Sequence, residues 1–462
     1  MAGITEFLTT LVNVLGNIVV VPIVIFIVGL IFGMKPMRAL RTGLVVGVGF
    51  IGVYTILTLF LNNLTPVATA MAERFGASMR LDIMDVGWAA PFSAAMTFPI
   101  ALSYVAIGVV FNLILIALRL TKTLQITLAE AVFGQGLIGY AAYSISGSYW
   151  VGLAVALGIY WCSLLLADWQ QPYVEKYFGL KGITFTNLGV NEIGLIGYPV
   201  ARLLDKIPFF RKTRFTPEYI QEKLGVVGDP IFLGVVFGVI LGILGSLPWT
   251  GVVLLAMNLA AALHLMPKMV GVIMEGFIQL QEASRDFLQK RAKGREIYLG
   301  LDPALGTGNT SILSTVMIMI PITILIAILL PGNRVLPLGD LPGLVFTLMF
   351  VVVFNRGDLL RSVITSIVVM PFVLWSATLL APYMHNTLIE AGLVEQGAVT
   401  SVSMVAGGQF YWYPAARLAE GQLWPIAFFV LAIGVSALII IWSRRSLKAD
   451  LADEPAPAAA SA

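Results

Sequence analysis

Gly300-Leu301-Asp302-Pro303-Ala304-Leu305-Gly306-Thr307-Gly308-Asn309-Thr310-Ser311 runs directly into an apolar stretch at 312–330. The dodecapeptide holds a carboxylate, an amide and three hydroxyls. Pro303 and its glycines work against a plain helix. Irregular polar backbone beside a bilayer span survives only where protein buries it or where it lines a watery cavity. A shorter echo, Ile83-Met84-Asp85-Val86-Gly87-Trp88, precedes Pro91, Ser93 and an apolar run from Phe98. Two such elements in one chain point to a site shared by two halves.

The rest of the composition is that of a membrane protein. Of 462 residues, 58% are hydrophobic and 11% charged, against about 25% charged in an ordinary soluble domain. Mean hydropathy is +0.92. A net charge of +3 gives no footing for nucleic acid. Cys162, the single cysteine, excludes an intrachain disulfide, and with only His264 and His385 beside it no zinc or haem site is expected. No cofactor is expected. The glycine-rich dodecapeptide lacks the lysine of a phosphate loop. The first apolar run lacks a basic start and a small-residue cleavage site, so it reads as a retained span.

Hydropathy predicts an all-α polytopic fold with about eleven spans, near 17–33, 43–61, 97–119, 124–145, 150–167, 228–246, 250–266, 312–331, 340–354, 362–381 and 424–442. Re-entrant hairpins are expected among them. Lysine and arginine then orient the chain, because they favour the cytoplasmic side. With the N-terminus outside and the C-terminus cytoplasmic, the basic loops after spans one, three, five, seven, nine and eleven share one face. Arg74, Arg80, Arg334 and Arg417 are the exceptions. The amphipathic segment 269–293 reads as a helix at the cytoplasmic interface.

The halves resemble each other. Residues 16–75 align without gaps to 228–287, and Tyr198-Pro199-Val200-Ala201-Arg202-Leu203 resembles Tyr413-Pro414-Ala415-Ala416-Arg417-Leu418. By the charge rule these two motifs lie on opposite faces, the signature of an inverted repeat. The division expected is a first repeat at 1–205, a cytoplasmic linker at 206–227, a second repeat at 228–420, a final span at 421–448 and a disordered tail at 449–462.

Ionisable and polar groups near spans are the functional candidates. Asp302 leads, as a ligand group or candidate base, and also has N-cap chemistry before Pro303. Asn309 and Thr310 either bind substrate hydroxyls or cap the next span. Asp85 beside Trp88 offers a carboxylate next to an aromatic face. Glu192, with Asn187 and Asn191, lies in apolar sequence without an evident local partner. Gln409 closes the second repeat. His385 is expected in an external loop at 381–424, and His264 at the end of a span.

Three blocks then suggest a family. Met84-Asp85-Val86-Gly87-Trp88, Leu299-Gly300-Leu301-Asp302-Pro303-Ala304-Leu305 and the run Leu330-Pro331-Gly332-Asn333-Arg334-Val335-Leu336-Pro337-Leu338-Gly339-Asp340-Leu341 resemble the galactitol-type EIIC membrane subunit of the sugar phosphotransferase system. Met266-Pro267-Lys268 and residues 217–228 resemble it too. The resemblance implies a bacterial inner-membrane permease for a polyol such as galactitol, or a related pentitol or ketose. It further implies a homodimer whose core domain carries substrate past a scaffold domain. The implied partners are EIIB, which donates phosphate from a cysteine, and behind it EIIA, HPr and EI. The expected site has Asp85 and Asp302 flanking a polyol with Asn309, Thr310, Trp88, Asn187 and Glu192. On the residues alone a proton- or sodium-coupled transporter, or a channel or receptor, remains open.

Overall fold

The computed structural model describes residues 22–23, 25–27, 29–30, 32–74, 81–127, 131–212, 215–217, 230–291, 296–341, 343–395, 401–405 and 410–452. Gln409, most of the expected linker, the start of the first span and the end of the tail lie outside them. Helices dominate. Among the described residues five are long and apolar enough to cross a membrane: Pro99–Ala117, Tyr149–Phe178, Thr310–Leu329, Leu359–Glu390 and Trp424–Arg445.

The described elements fall into two series with one order. The first runs α1 (Pro36–Arg74), β1 (Ile83–Asp85), α2 (Ala89–Thr97), α3 (Pro99–Ala117) and β2 (Thr123–Gln125). A π-helical turn (Val132–Gly136), α4 (Leu137–Ser146), α5 (Tyr149–Phe178), β3 (Ile183–Phe185) and α6 (Leu188–Leu204) follow. After α7 (Pro208–Lys212) comes α8 (Pro230–Leu244) and the second series: α9 (Trp249–Arg291), β4 (Tyr298–Leu301), a 3-10 turn (Pro303–Gly306), α10 (Thr310–Leu329) and β5 (Val335–Leu336). It ends with α11 (Leu344–Thr347), α12 (Met349–Phe354), α13 (Leu359–Glu390), β6 (Ser401–Ser403) and α14 (Trp412–Ala419), before α15 (Trp424–Ala452).

The strands exchange between the series. In one parallel sheet β1 of the first series lies between β5 and β6 of the second. In the other, β4 of the second lies between β2 and β3 of the first. Each central strand is therefore satisfied only by the opposite series. Ion pairs sit at matching places: Arg334 before β5 pairs with Asp82 before β1, and Lys122 before β2 lies 3.1 Å from Glu296 before β4. Hydrogen bonding to Arg334 holds the Asp82 carboxyl below its ordinary value, and Lys122 does the same for Glu296. All four side chains are exposed, so the pairs pin register rather than add much stability.

α9 is one continuous helix where the sequence suggested a span at 250–266 followed by a separate interfacial helix at 269–293, and α1 likewise runs on past the expected span at 43–61. α1 runs through Pro66 and α9 through Pro267. The two pack antiparallel. Thr42 Oγ1 donates to Gln279 Oε1 at 3.1 Å near one end, and Asn258 Nδ2 donates to Asn63 Oδ1 at 2.7 Å near the other. The segment 124–145 is not one helix but a strand, the π turn and α4, and 340–354 contains two short helices. α12 is wholly buried, and its Phe354 packs among Trp169, Tyr173 and Tyr198.

α8 and α9 meet through glycines. A Cβ on Gly234 would lie 2.4 Å from the Ala260 Cα, and one on Gly238 2.3 Å from the Ala256 Cα. Both contacts are with backbone, so no rotamer change relieves them; small residues at this spacing let helix backbones approach. Gly238→Val should cost about 1–3 kcal/mol by overpacking. Gly434→Ala, which meets nothing within 4 Å, should stay within about 0.5 kcal/mol. Thermal unfolding of the purified protein in detergent checks both.

Candidate functional site

Asp85 ends β1 and is buried. Its Oδ1 accepts from the amides of Gly87 (3.1 Å) and Val405 (3.2 Å), and its Oδ2 from that of Asp340 (2.7 Å). Asp340 is buried too, and accepts from the Trp88 amide (3.0 Å) and, through Oδ2, from that of Val405 (2.9 Å). The two carboxylates thus gather the loose amides where β1, β5 and β6 end. This is an anchoring role, which the short sequence echo around Asp85 did not disclose. Trp88 is half-buried and meets Phe92 edge-on at 6.3 Å.

Asp302 lies at the matching place after β4. Its Oδ1 accepts from the Ala304 amide at 2.7 Å and caps the 3-10 turn. Asn309 caps α10: its Oδ1 accepts from the amides of Ser311 (3.0 Å) and Ile312 (3.2 Å), and from the Tyr177 hydroxyl (3.1 Å). Thr310 is the first residue of α10. The capping chemistry legible in the sequence is therefore present.

β3 brings the third group alongside. Phe185 pairs with Leu301, and the Thr186 amide donates to the Leu301 carbonyl at 3.3 Å, one residue short of Asp302. Asn187 then caps α6 by accepting from the Val190 amide at 3.0 Å. On the first turns of α6, Asn191 donates to the Phe185 carbonyl (2.8 Å), and Gln170 of α5 donates to the Asn191 carbonyl (2.7 Å). Glu192, fully buried, accepts through Oε1 from the Phe410 amide at 2.8 Å. That bond joins the closing segments of the two series.

Among the described residues, four oxygens in this group have no hydrogen bond of ordinary geometry, Thr186 Oγ1, Gln170 Oε1, Asn191 Oδ1 and Glu192 Oε2, while the Tyr411 amide also approaches the Glu192 carboxylate. Leaving a buried acceptor unsatisfied costs about 1–3 kcal/mol. Three of the four can only accept, so the missing partners are donors. Gln135, on the π turn packed against α5, is also buried with both amide heteroatoms unpartnered. Gly108 makes room for it, since a Cβ there would come within 2.3 Å of Gln135 Oε1. π-helical turns frequently mark functional places. Sequence reading missed Gln135, Gln170 and Thr186 because lone amides and hydroxyls in apolar runs carry no motif.

His385 does not lie in an external loop. It sits within α13, half-buried, its Nδ1 unpartnered; the helix continues through Pro382 for two more turns. His264 is inside α9, its Nε2 2.9 Å from Lys268 Nζ.

Residues 11–410 match the family model EIIC-GAT, described as the sugar-specific permease component of the PTS system. The chain belongs to this family. A permease IIC component of Escherichia coli strain K12 is 34% identical over 438 residues, 93% of this chain and 97% of that one. The galactitol-specific EIIC components of E. coli K12 and O157:H7 are each 33% identical over 432 residues, 93% of this chain and 94% of theirs. The protein is thus an EIIC sugar permease, an integral membrane component that works with the other proteins of its phosphotransferase system. This EIIC chain keeps Cys162 on a membrane-spanning helix.

In this EIIC, Asp85→Asn turns an acceptor into a donor aimed at amides. It should lose about 1–3 kcal/mol of stability, and Asp85→Asn with Asp340→Asn should cost less than the sum, since they share the Val405 amide. Thermal unfolding without sugar tests this: an unchanged melting temperature for Asp85→Asn would return Asp85 to a purely ligand-binding role.

Proposed function

We propose that this EIIC takes a polyol of the galactitol type, binds it between the closing segments of the two series, and releases it inward as the phosphate ester. The carrying observation is the set of buried oxygens around Glu192 that have no donor of ordinary geometry among the described residues. A polyol presents a row of hydroxyls, each a donor, and fits that deficit better than an apolar or anionic cargo. The relatives named for galactitol support the substrate class.

In this reading Glu192, Asn191, Thr186 and Gln170 hold the hydroxyls, with Gln135 and Gln409 as further ligands. Asp302, Asn309, Thr310 and Asn187 border the site from the end of the β3–β4 pair; Asp85, Trp88 and His385 belong to its surroundings. The group transfer then involves EIIB. A polyol hydroxyl oxygen attacks the phosphorus of the EIIB phosphocysteine. The new O–P bond forms as the S–P bond breaks, the cysteine leaves as thiolate, and the hydroxyl proton passes to the Asp302 carboxylate.

The finer architecture is also proposed here. The matched series and exchanged strands support an inverted repeat of about eleven spans, with alternating access by an elevator-like shift of a core domain against a scaffold. We take the protein to be a homodimer in a bacterial inner membrane, N-terminus outside and C-terminus cytoplasmic. EIIA, HPr and EI supply phosphate through EIIB.

Vesicle uptake discriminates this from ion-coupled transport. Galactitol should accumulate as phosphate only when phosphorylated EIIB is present; free galactitol accumulating on an ion gradient would refute the proposal. Glu192→Gln puts an amide donor among the hydroxyls and should weaken galactitol binding roughly ten- to a hundredfold, the effect of a lost charged hydrogen bond. Asp302→Asn keeps the cap, because asparagine caps as well as aspartate, and should abolish phosphorylation. Calorimetry and product analysis read the two effects; wild-type behaviour of both variants would remove these residues from the site.

A further inference from the structure

One charged cluster takes no part in the scheme above. Asp205, just past the end of α6, receives three guanidinium groups. Arg202 Nη1 lies 2.9 Å from Oδ2 and Arg356 Nη1 3.4 Å from Oδ1, and Arg361 also bonds Oδ1. The three arginine side chains are 9%, 10% and 5% exposed while Asp205 is 24% exposed, so the carboxylate is the member that opens outward. Among the described residues Asp358 is a further nearby carboxylate, engaged by the amides of Phe215 (2.8 Å) and Arg361 (2.9 Å). Main-chain carbonyls fix the arginines further: Arg202 donates to Phe354 at 2.7 Å and Arg361 to Ala201 at 3.2 Å.

Arg356 is held at a backbone cost. It ends α12 with φ +58°, and Gly357 follows at φ +75°. The amides of Arg356 and Gly357 return to Val353 and Val352, both at 3.0 Å. A helix that ends this way ordinarily has glycine or asparagine at the first left-handed position. A long side chain kept there points to a use for it. The turn also touches the opening stretch. A Cβ on Gly357 would lie 2.9 Å from the Tyr177 hydroxyl, which donates to Asn309, and 3.0 Å from Ser311 Oγ. The lysine–arginine rule puts this end of α6 and α12 on the cytoplasmic side.

We infer that Arg202, Arg356 and Arg361 form an anion site for the phosphoryl group as it passes from EIIB to the polyol, with Asp205 occupying that site between turnovers. The inference rests on the group-transfer reading of the preceding section. Guanidinium forks match phosphate oxygens as they match a carboxylate. Fixed cations around the three equatorial oxygens stabilise the charge that develops as the S–P bond breaks and the O–P bond forms. An anionic lipid headgroup has the same chemistry. The burial of the arginines, and the contact of the Arg356–Gly357 turn with Ser311 through Gly357, favour the phosphoryl group.

The test uses full-length EIIC in vesicles of neutral lipid, with phosphorylated EIIB and galactitol. Arg356→Asn suits the left-handed backbone, so the turn is expected to fold. It should leave galactitol affinity within about twofold and slow single-turnover sugar phosphorylation roughly ten- to a hundredfold, as for removal of a charge-assisted contact. Arg356→Lys should recover part of the rate. Asp205→Asn should let inorganic phosphate inhibit the transfer at a roughly tenfold lower concentration. Wild-type transfer rates in Arg356→Asn would overturn the inference. So would equal losses of sugar binding and transfer, which mark a structural role, or an Arg356→Asn defect seen only when anionic lipid is present, which marks a headgroup site. No sugar phosphate from the wild type would refute the underlying reading instead.

Discussion

A strand of three residues inside a membrane protein has no water to complete its hydrogen bonds, and most of its amides lie at an end. Everything else in this fold follows from how those amides are satisfied. Asp85 and Asp340 do it at one sheet by accepting from Gly87, Trp88, Asp340 and Val405. The cost of burying two carboxylates is offset only because each is met by several main-chain donors. In the other sheet Asp302 and Asn187 cap the segments that leave β4 and β3. Neither series can complete its central strand alone, so the exchange ties the halves together more tightly than helix packing would.

That constraint also explains where polar chemistry gathers. Chain segments leaving the strand ends are irregular, and irregular backbone needs side-chain acceptors. The residue types suited to that work, aspartate and asparagine, are the same ones suited to binding hydroxyls. Capping and ligand binding therefore compete for one set of residues, and the unsatisfied atoms separate them. Asn309 Oδ1 already accepts three bonds. Glu192 Oε2 and Asn191 Oδ1 accept none of ordinary geometry.

The caps were legible in the sequence because capping is local: Asp302-Pro303 and Asn309 two residues before Ser311 state their geometry within a turn. The paired closing motifs and the two aspartate elements were legible as repetition. The strands were not, because two to four residues carry no measurable period, and their partners lie hundreds of positions away. Pro66, Pro267 and Pro382 sit inside α1, α9 and α13, helices that continue past them. Neighbouring helices let a membrane helix tolerate the lost bond, and so His385 lies on a helix and not in a loop. The contact between Glu192 and Phe410 was beyond sequence reading, since nothing local at either position anticipates the other.

The division of labour between the two ends of α6 follows from the same geometry. Its N-terminal turns carry Asn191 and Glu192 into the bundle, where hydroxyls of a polyol can complete them. Its C-terminal end carries Arg202 and leads to Asp205, where cations converge. Glu192 and Arg202 stand ten residues apart on α6, about 15 Å along its axis. α12 and the start of α10 draw the two places together: Phe354 accepts from Arg202, and Gly357 rests on Ser311 beside the Asn309 cap. That cap stands seven residues from Asp302. A fold that must satisfy stranded amides with buried side chains thereby brings the turn that carries Arg356 against the glycine-rich stretch.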